Sequence, residues 1–342
     1  MEVQELKAKI DRGENGCYLF VGEEEYLKRH YLAVLKKKLV PDEFLEPFNY
    51  AVFDGGEIDF GMLLDALKSP PMMADNKLIV WKYPEIDRMR EKGRDALEEL
   101  GAMWKDYPYA TVVFLVVSDA FDLGNLPKKP SKLFTRFSKV FDIVNFKTST
   151  DSQLISWLAR HLDAEGVKAD ADTLRALLFR SGHSMDTLAS EVEKLAAYAK
   201  ANRLEKITPA EVELVASSTI ECDTFALSNA ILERKKAKAY LALEEMKLRR
   251  VDPTVIMGMV ARTFDDLTAV AHLLDEGLGT SAINELLKMN EYKLKMYMNA
   301  TKKYGPERLT EIISSLAETD ASSKYGGVTG YTAVELFISK NL

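Results

Sequence analysis

The feature that most constrains this chain is a change of hydrophobic period at Thr148. Up to residue 147, short apolar runs alternate with amphipathic stretches, the pattern imposed by a mostly parallel sheet covered with helices. Beyond it every apolar period is helical. Five strands are predicted before the change, at Cys17 to Val21, Phe48 to Phe53, Lys77 to Trp81, Ala110 to Val117 and Lys139 to Phe146. β-Branched and aromatic residues dominate the last three. Between them, Tyr26 to Leu39 carries Tyr26, Leu27, Tyr31, Leu32, Leu35 and Leu39 near one helical face, and Ile58 to Leu67 does the same with Phe60, Leu63, Leu64 and Leu67.

At the boundary, Thr148-Ser149-Thr150-Asp151 supplies N-cap residue types in front of Leu154, Ile155 and Leu158. Three helices are predicted next, near Ser152 to Ala164, Ala171 to Arg180 and Met185 to Ala201, and Thr208-Pro209 opens a short fourth. A further helical stretch from about Thr219 reads as a bundle, with helices at Asp223 to Leu232, Ala237 to Leu248, Pro253 to Glu276, Ser281 to Leu287, Glu291 to Tyr304 and Pro306 to Ala321. At roughly 150 residues per domain, 342 residues suit two or three domains. The period changes place them at 1–147, 148–218 and 219–342. No repeat period or low-complexity tract is present.

Apolar residues at 47% and charged residues at 29% describe an ordinary folded chain. The longest apolar runs, such as Val112 to Val117, fall far short of the roughly 20 residues of a membrane span. The charged opening MEVQELKAKIDRGENG has no signal-peptide core, so no membrane role and a cytoplasmic address are expected. Basic residues number 22, 8 and 16 in the three segments against 25, 11 and 17 acidic ones. No segment is basic, so tight DNA binding by the chain alone is not expected.

Catalytic constellations fail on inspection. The loop after the first strand reads Gly22-Glu23-Glu24-Glu25 where a P-loop needs GxxxxGK[ST], and three carboxylates at a helix start cap its dipole and repel a triphosphate. Trp81-Lys82-Tyr83 after the third strand offers no acidic pair for magnesium. His30, His161, His183 and His272 are isolated, and Cys17 and Cys222 are far apart, so neither a metal site nor a disulfide scaffold is predicted. Cys17 reads as a buried small hydrophobe, and Ser181-Gly182-His183-Ser184 as an interhelical loop with an N-cap serine. No metal, cofactor or catalytic residue is expected.

Two features remain. Pro70-Pro71-Met72-Met73-Ala74 stands directly before the third strand, where the prolines exclude a helix interior and adjacent methionines point about 100° apart. Spacing by itself reads such a pair first as core; a turn or single-turn helix presenting one or both methionines to an apolar groove on a partner is the other reading. Basic residues cluster at Arg234, Lys235, Lys236 and Lys238, at Lys247, Arg249 and Arg250, and at Lys293, Lys295, Lys302 and Lys303, the last interleaved with Tyr292 and Tyr297. A solvated helix face is the plainer reading of each, and contact with a phosphate backbone and stacked bases the sharper one.

Four stretches together resemble the bacterial DNA polymerase III delta subunit family: Gly16-Cys17-Tyr18-Leu19-Phe20-Val21-Gly22-Glu23-Glu24-Glu25-Tyr26-Leu27, the Ala-Asp-Asn-Lys-Leu-Ile-Val-Trp run at 74–81, Glu191-Val192-Glu193-Lys194-Leu195, and Thr224-Phe225-Ala226-Leu227-Ser228-Asn229-Ala230-Ile231. The resemblance covers essentially the whole chain. It implies an AAA+-type architecture: a RecA-like domain without a P-loop, a helical lid and a helical collar. It implies a clamp-loader subunit that opens the sliding clamp on primed DNA without hydrolysing ATP, alongside ATPase (gamma/tau) and delta-prime subunits. In the family a short helix before the third strand inserts an apolar pair into the clamp. Met72 and Met73, flanked by Pro71 and Ala74, hold those positions. The four-cysteine zinc site and Ser-Arg-Cys motif of the sister subunits are absent from this sequence. An ATP-hydrolysing AAA+ subunit and a nucleic-acid-binding module are the alternatives.

Overall fold

A computed structural model of the chain describes residues 1–118, 120–289, 291–303, 305–325 and 327–342. It divides into two compact units, Met1–Thr150 and Asp151–Leu342.

Among the described residues the first unit holds seven strands: β1 (Cys17–Val21), β2 (Tyr50–Asp54), β3 (Lys77–Lys82), β4 (Ala110–Leu115), the two-residue β5 (Gly124–Asn125) and β6 (Lys129–Pro130), and β7 (Asp142–Asn145). Five of them form a parallel sheet in the order β2-β3-β4-β1-β7, while β5 and β6 pair antiparallel on their own. Alternation along β1 explains why its sequence is apolar throughout. Cys17, Leu19 and Val21 enter a core with Leu63, Leu67, Leu97, Leu100 and Phe137, whereas Tyr18 and Phe20 enter the opposite core with Leu6, Ile10, Leu32, Leu35 and Leu39. Both faces are therefore buried under helices, as a parallel sheet requires.

Expected and observed elements differ mainly at their ends. Phe48 belongs to a short helix, Glu46–Asn49, and β2 begins at Tyr50. The last strand is shorter than predicted because Phe137 to Phe141 turns back on itself through backbone bonds from Val140 and Phe141 to the Phe137 carbonyl. Helices Val3–Asp11, Glu91–Met103 and Lys132–Phe137 add to those that the apolar period predicts.

The second unit is helical, with one correction to the expectation of helices alone: β8 (Lys168–Ala169) pairs in parallel with β9 (Lys206–Ile207). Its first four helices are Asp151–Ala164, Ala171–Ser181, Met185–Ala201 and Pro209–Val215, the last opened by a capping box between Thr208 and Glu211. That box satisfies two orphan helix donors reciprocally. Then come Ile220–Leu232, Lys236–Leu248, Pro253–Asp275, Thr280–Leu287, Glu291–Lys303, Pro306–Lys324 and Tyr331–Asn341. The expected end of the Glu291 helix, Tyr304, lies outside the described residues. Ile256, Val260, Phe264, Leu267 and Val270, spaced three and four apart, line the core side of the central Pro253–Asp275 helix. Among the described residues no helix is long and apolar enough to cross a membrane.

Candidate functional site

The Pro70–Asn76 loop joins the Phe60–Lys68 helix to β3 and is fixed at both ends by side chains that reach it from elsewhere in the sheet unit. Buried Lys77 donates Nζ to the Ser69 carbonyl at 3.1 Å, and the Tyr109 hydroxyl donates to the Leu67 carbonyl at 3.1 Å. At the far end Asn76 Oδ1 accepts from Asn15 Nδ2 at 2.7 Å, and Asn15 Oδ1 in turn accepts from the Thr111 hydroxyl at 2.7 Å. The middle is held by Asn49, which is fully buried: its Oδ1 accepts from the Met72 N–H at 2.7 Å and its Nδ2 donates to the Met72 carbonyl at 2.9 Å.

Held this way, the loop exposes what most sequences bury. Met72 is 49% and Met73 84% exposed, while Pro71 and Ala74 are half-buried. The core reading of the pair is thereby corrected: the prolines and the Asn49 bonds carry both side chains outward. Residues 72–75 form successive bends, not the short helix that the resemblance implied, and Met73 takes the left-handed conformation at φ 52°. Such a conformation costs a non-glycine residue roughly 1 kcal/mol or more, which breaks any helix there.

The sequence reading missed Asn49, and it missed Phe44 and Phe48, two large aromatics exposed on the segment that ends in Asn49. Exposure of an aromatic beside a charged run leaves no period to detect. Asn49 gives no signal because its partner is backbone.

The Gly22–Glu25 loop is closed on itself. Gly22 has φ 103°, and its N-terminal neighbour strand lies so near β7 that the Glu24 N–H donates to the Phe146 carbonyl at 3.0 Å. An amide that would face a phosphate in a P-loop is thus already engaged. Behind it, fully buried Lys28 donates Nζ to Glu25 Oε1 at 2.5 Å and to the Val116 carbonyl at 2.7 Å. Burial pulls the Lys28 ammonium below the ordinary lysine range, and the Glu25 carboxylate draws it part of the way back. Glu23 projects into solvent.

The basic stretch on the Glu291–Lys303 helix divides into two kinds of residue. Tyr297 is 2% exposed and stacks on Phe225 with ring centroids 5.1 Å apart, so the expectation that it stacks on a base is corrected. Lys293 is spent within the bundle, 2.7 Å from Glu221 and 5.3 Å above the Tyr297 ring. Lys295 and Lys302 are exposed, and Lys303, also exposed, reaches Glu233 at 3.4 Å. In the other clusters three of the seven residues are paired among the described residues: Lys235 with Glu233 at 2.5 Å, Lys247 with Glu244 at 2.7 Å and Glu335 at 2.5 Å, and Arg249 with Asp223 at 2.5 Å and the Ser218 carbonyl at 2.7 Å. His183 meets Asp151 at 2.9 Å, and His161 Nδ1 lies 2.9 Å from the Trp157 carbonyl. Among the described residues no group of three or more His, Cys, Asp or Glu side chains converges on a metal position.

Two family models match this chain: "DNA polymerase III, delta subunit" over residues 18–144 and "DNA polymerase III delta subunit, C-terminal domain" over residues 221–341. Together they span well over half of its length. The chain belongs to the DNA polymerase III delta subunit family. It is 24% identical over 337 residues to the DNA polymerase III subunit delta of Bacillus subtilis (strain 168), covering 96% of this chain and 94% of the relative. It is 25% identical over 318 residues to the probable DNA polymerase III subunit delta of Aquifex aeolicus (strain VF5), covering 90% and 85%. A solved structure of a Bacillus subtilis DNA clamp loader delta protein superposes with a TM-score of 0.55 at 21% identity, covering 99% of this chain and 98% of that one. The mixed fold expected from the sequence, a parallel-sheet unit followed by helices, is thus shared with the delta structure. Met72, Met73 and the closed Gly22 loop fall in the first delta match, and Tyr297 with the basic helix in the second.

Proposed function

We propose that this delta-family chain binds the sliding clamp through Met72 and Met73 and favours an open ring, without hydrolysing ATP itself. The observation that carries the reading is Met73, an apolar side chain 84% exposed on a loop pinned at both ends and in the middle. Keeping a methionine in water is unfavourable by about 1.5–3 kcal/mol relative to burying it, so covering it favours a partner by at most about that much before the costs of association. The flexible thioether suits an apolar pocket whose shape it must follow. Pro71 and Ala74 border the contact.

The engaged amide of Glu24 and the carboxylates of the Gly22–Glu25 loop support a subunit that holds no nucleotide. In this reading residues 148–218 act as a lid, and residues 219–342 as a collar joining the gamma/tau ATPase and delta-prime subunits in the cytoplasm. Lys295, Lys302 and Lys303 would face primed DNA within the assembled loader, where partners add the positive charge this chain lacks. Calorimetry of the purified chain with its cognate clamp in the absence of nucleotide tests the reading. Binding is expected, and the Met72→Ala/Met73→Ala variant is expected to lose it while keeping the parent's melting behaviour. Unchanged binding by that variant contradicts the site.

A further inference from the structure

We propose that Asn49 is the positioning residue of the Met72–Met73 surface, setting the clamp's affinity through its hold on the middle of the loop and without touching the clamp. This rests on the reading that the methionine pair docks on the clamp, and it deepens that reading by naming what presents the pair.

Asn49 closes the Glu46–Asn49 helix immediately before β2, and its carboxamide spends a donor and an acceptor on the two backbone polar groups of a single residue, Met72. The other bonds described for the loop lie at its two ends. Ser69 N–H bonds back to Asp65 and Lys77 N–H bonds across to Tyr109. Between them, among the described residues, the loop's backbone is bonded to Asn49. Met73 follows directly in a left-handed conformation that a non-glycine residue adopts only when its surroundings impose it. Its side chain stands in water, where an unrestrained loop would fold it back onto the nearest apolar surface.

The Asn49 bonds therefore keep the docking conformation dominant before the partner arrives. When only a fraction of molecules is competent, the apparent dissociation constant rises in inverse proportion to that fraction. If releasing Met72 leaves a tenth of the loops competent, affinity falls roughly tenfold with every clamp-facing side chain still present. The loss appears in the association rate, because the complex itself forms with the same methionines.

The experiment measures association and dissociation rates of the full chain on immobilised cognate sliding clamp, for the parent, Asn49→Ala, Asn49→Asp and Met72→Ala/Met73→Ala. Asn49→Asp keeps the acceptor for the Met72 N–H and sets a carboxylate against the Met72 carbonyl. Both Asn49 variants are expected to associate roughly tenfold more slowly with dissociation changed less than twofold. Parent-like association by both Asn49 variants, with binding lost in the methionine variant, overturns the positioning role and leaves the docking site standing. Parent-like binding by the methionine variant overturns the docking site itself. Should Asn49→Ala unfold, amide hydrogen exchange of Met72 in the parent decides: protection is expected, and exchange at the free-peptide rate overturns the proposal.

Discussion

A Cβ placed on Gly22 would come within 2.4 Å of the Phe146 carbonyl oxygen and 2.6 Å of Asn145 Oδ1. The closeness follows from the parallel register of β1 on β7, which sets Val21 beside Asn145 and carries the two chain segments past each other at the end of the sheet. Only glycine fits this crossing, and at φ 103° only glycine adopts it without strain. Gly22→Ala is expected to cost about 1–3 kcal/mol in urea unfolding. A cost below about 0.5 kcal/mol, the range of an indifferent surface change, would show that the loop is not locked by this crossing.

Arg249 joins the end of the Lys236–Leu248 helix to the Ser218 carbonyl and to a nearly buried Asp223 carboxylate. Removing the guanidinium leaves that carboxylate without its cation, so Arg249→Ala is expected to lower stability by about 2 kcal/mol. Arg249→Lys is expected to restore only part, because one ammonium cannot reproduce the guanidinium fork. Chemical unfolding of the three proteins tests this, and equal stability for Ala and Arg would contradict it.

Burial pushes the Cys222 thiol up to about 11 and the Cys17 thiol well above its ordinary value. Raised values mean that the thiol stays protonated through neutral pH, and the thiolate is the reactive form. Native chain is expected to react slowly with iodoacetamide at pH 8, with the Cys222 rate still climbing toward pH 11, whereas both cysteines react promptly in urea. A native rate that levels off near pH 8.5 would contradict the burial of Cys222.

The Tyr297 phenol, pushed up to about 12 chiefly by burial, gives a handle on alkaline stability. Its unfolded value is near 10. Because the folded state holds the proton more tightly, this contribution is complete below pH 10 and is lost as pH rises toward 12. Alkaline unfolding monitored by circular dichroism should be shallower over that range in Tyr297→Phe than in the parent. Identical profiles would remove Tyr297 as a source of the alkaline sensitivity.

What could be read from residues alone divides along physical lines. The strands β1, β3 and β4 are legible because strands buried on both faces are continuous apolar runs, and the Pro253–Asp275 helix because its core stripe is long. Val3–Asp11 escapes because only Leu6 and Ile10 of its residues are buried, too few to show a period. β8 and β9 are two residues each, shorter than any alternation. At the site, the prolines signalled a stiff presentation of Met72 and Met73, yet spacing could not distinguish presentation from burial. Asn49 and the Glu24–Phe146 bond depend on backbone partners distant in sequence, for which no local pattern exists. Tyr297 shows the reverse error: tyrosine among lysines looks like a nucleic-acid face until a neighbouring helix supplies Phe225.

A Met72–Met73 surface that favours an open clamp must bind the opened form more tightly than the closed ring, because a ligand shifts an equilibrium only by its differential affinity for the two states. The most direct measurement compares binding of this chain, without nucleotide, to the intact cognate ring and to a clamp variant whose subunit interface has been weakened to leave monomers. Tighter binding to the monomer, by at least tenfold and dependent on Met72 and Met73, is the predicted result. Equal affinity for ring and monomer would contradict ring opening by this surface.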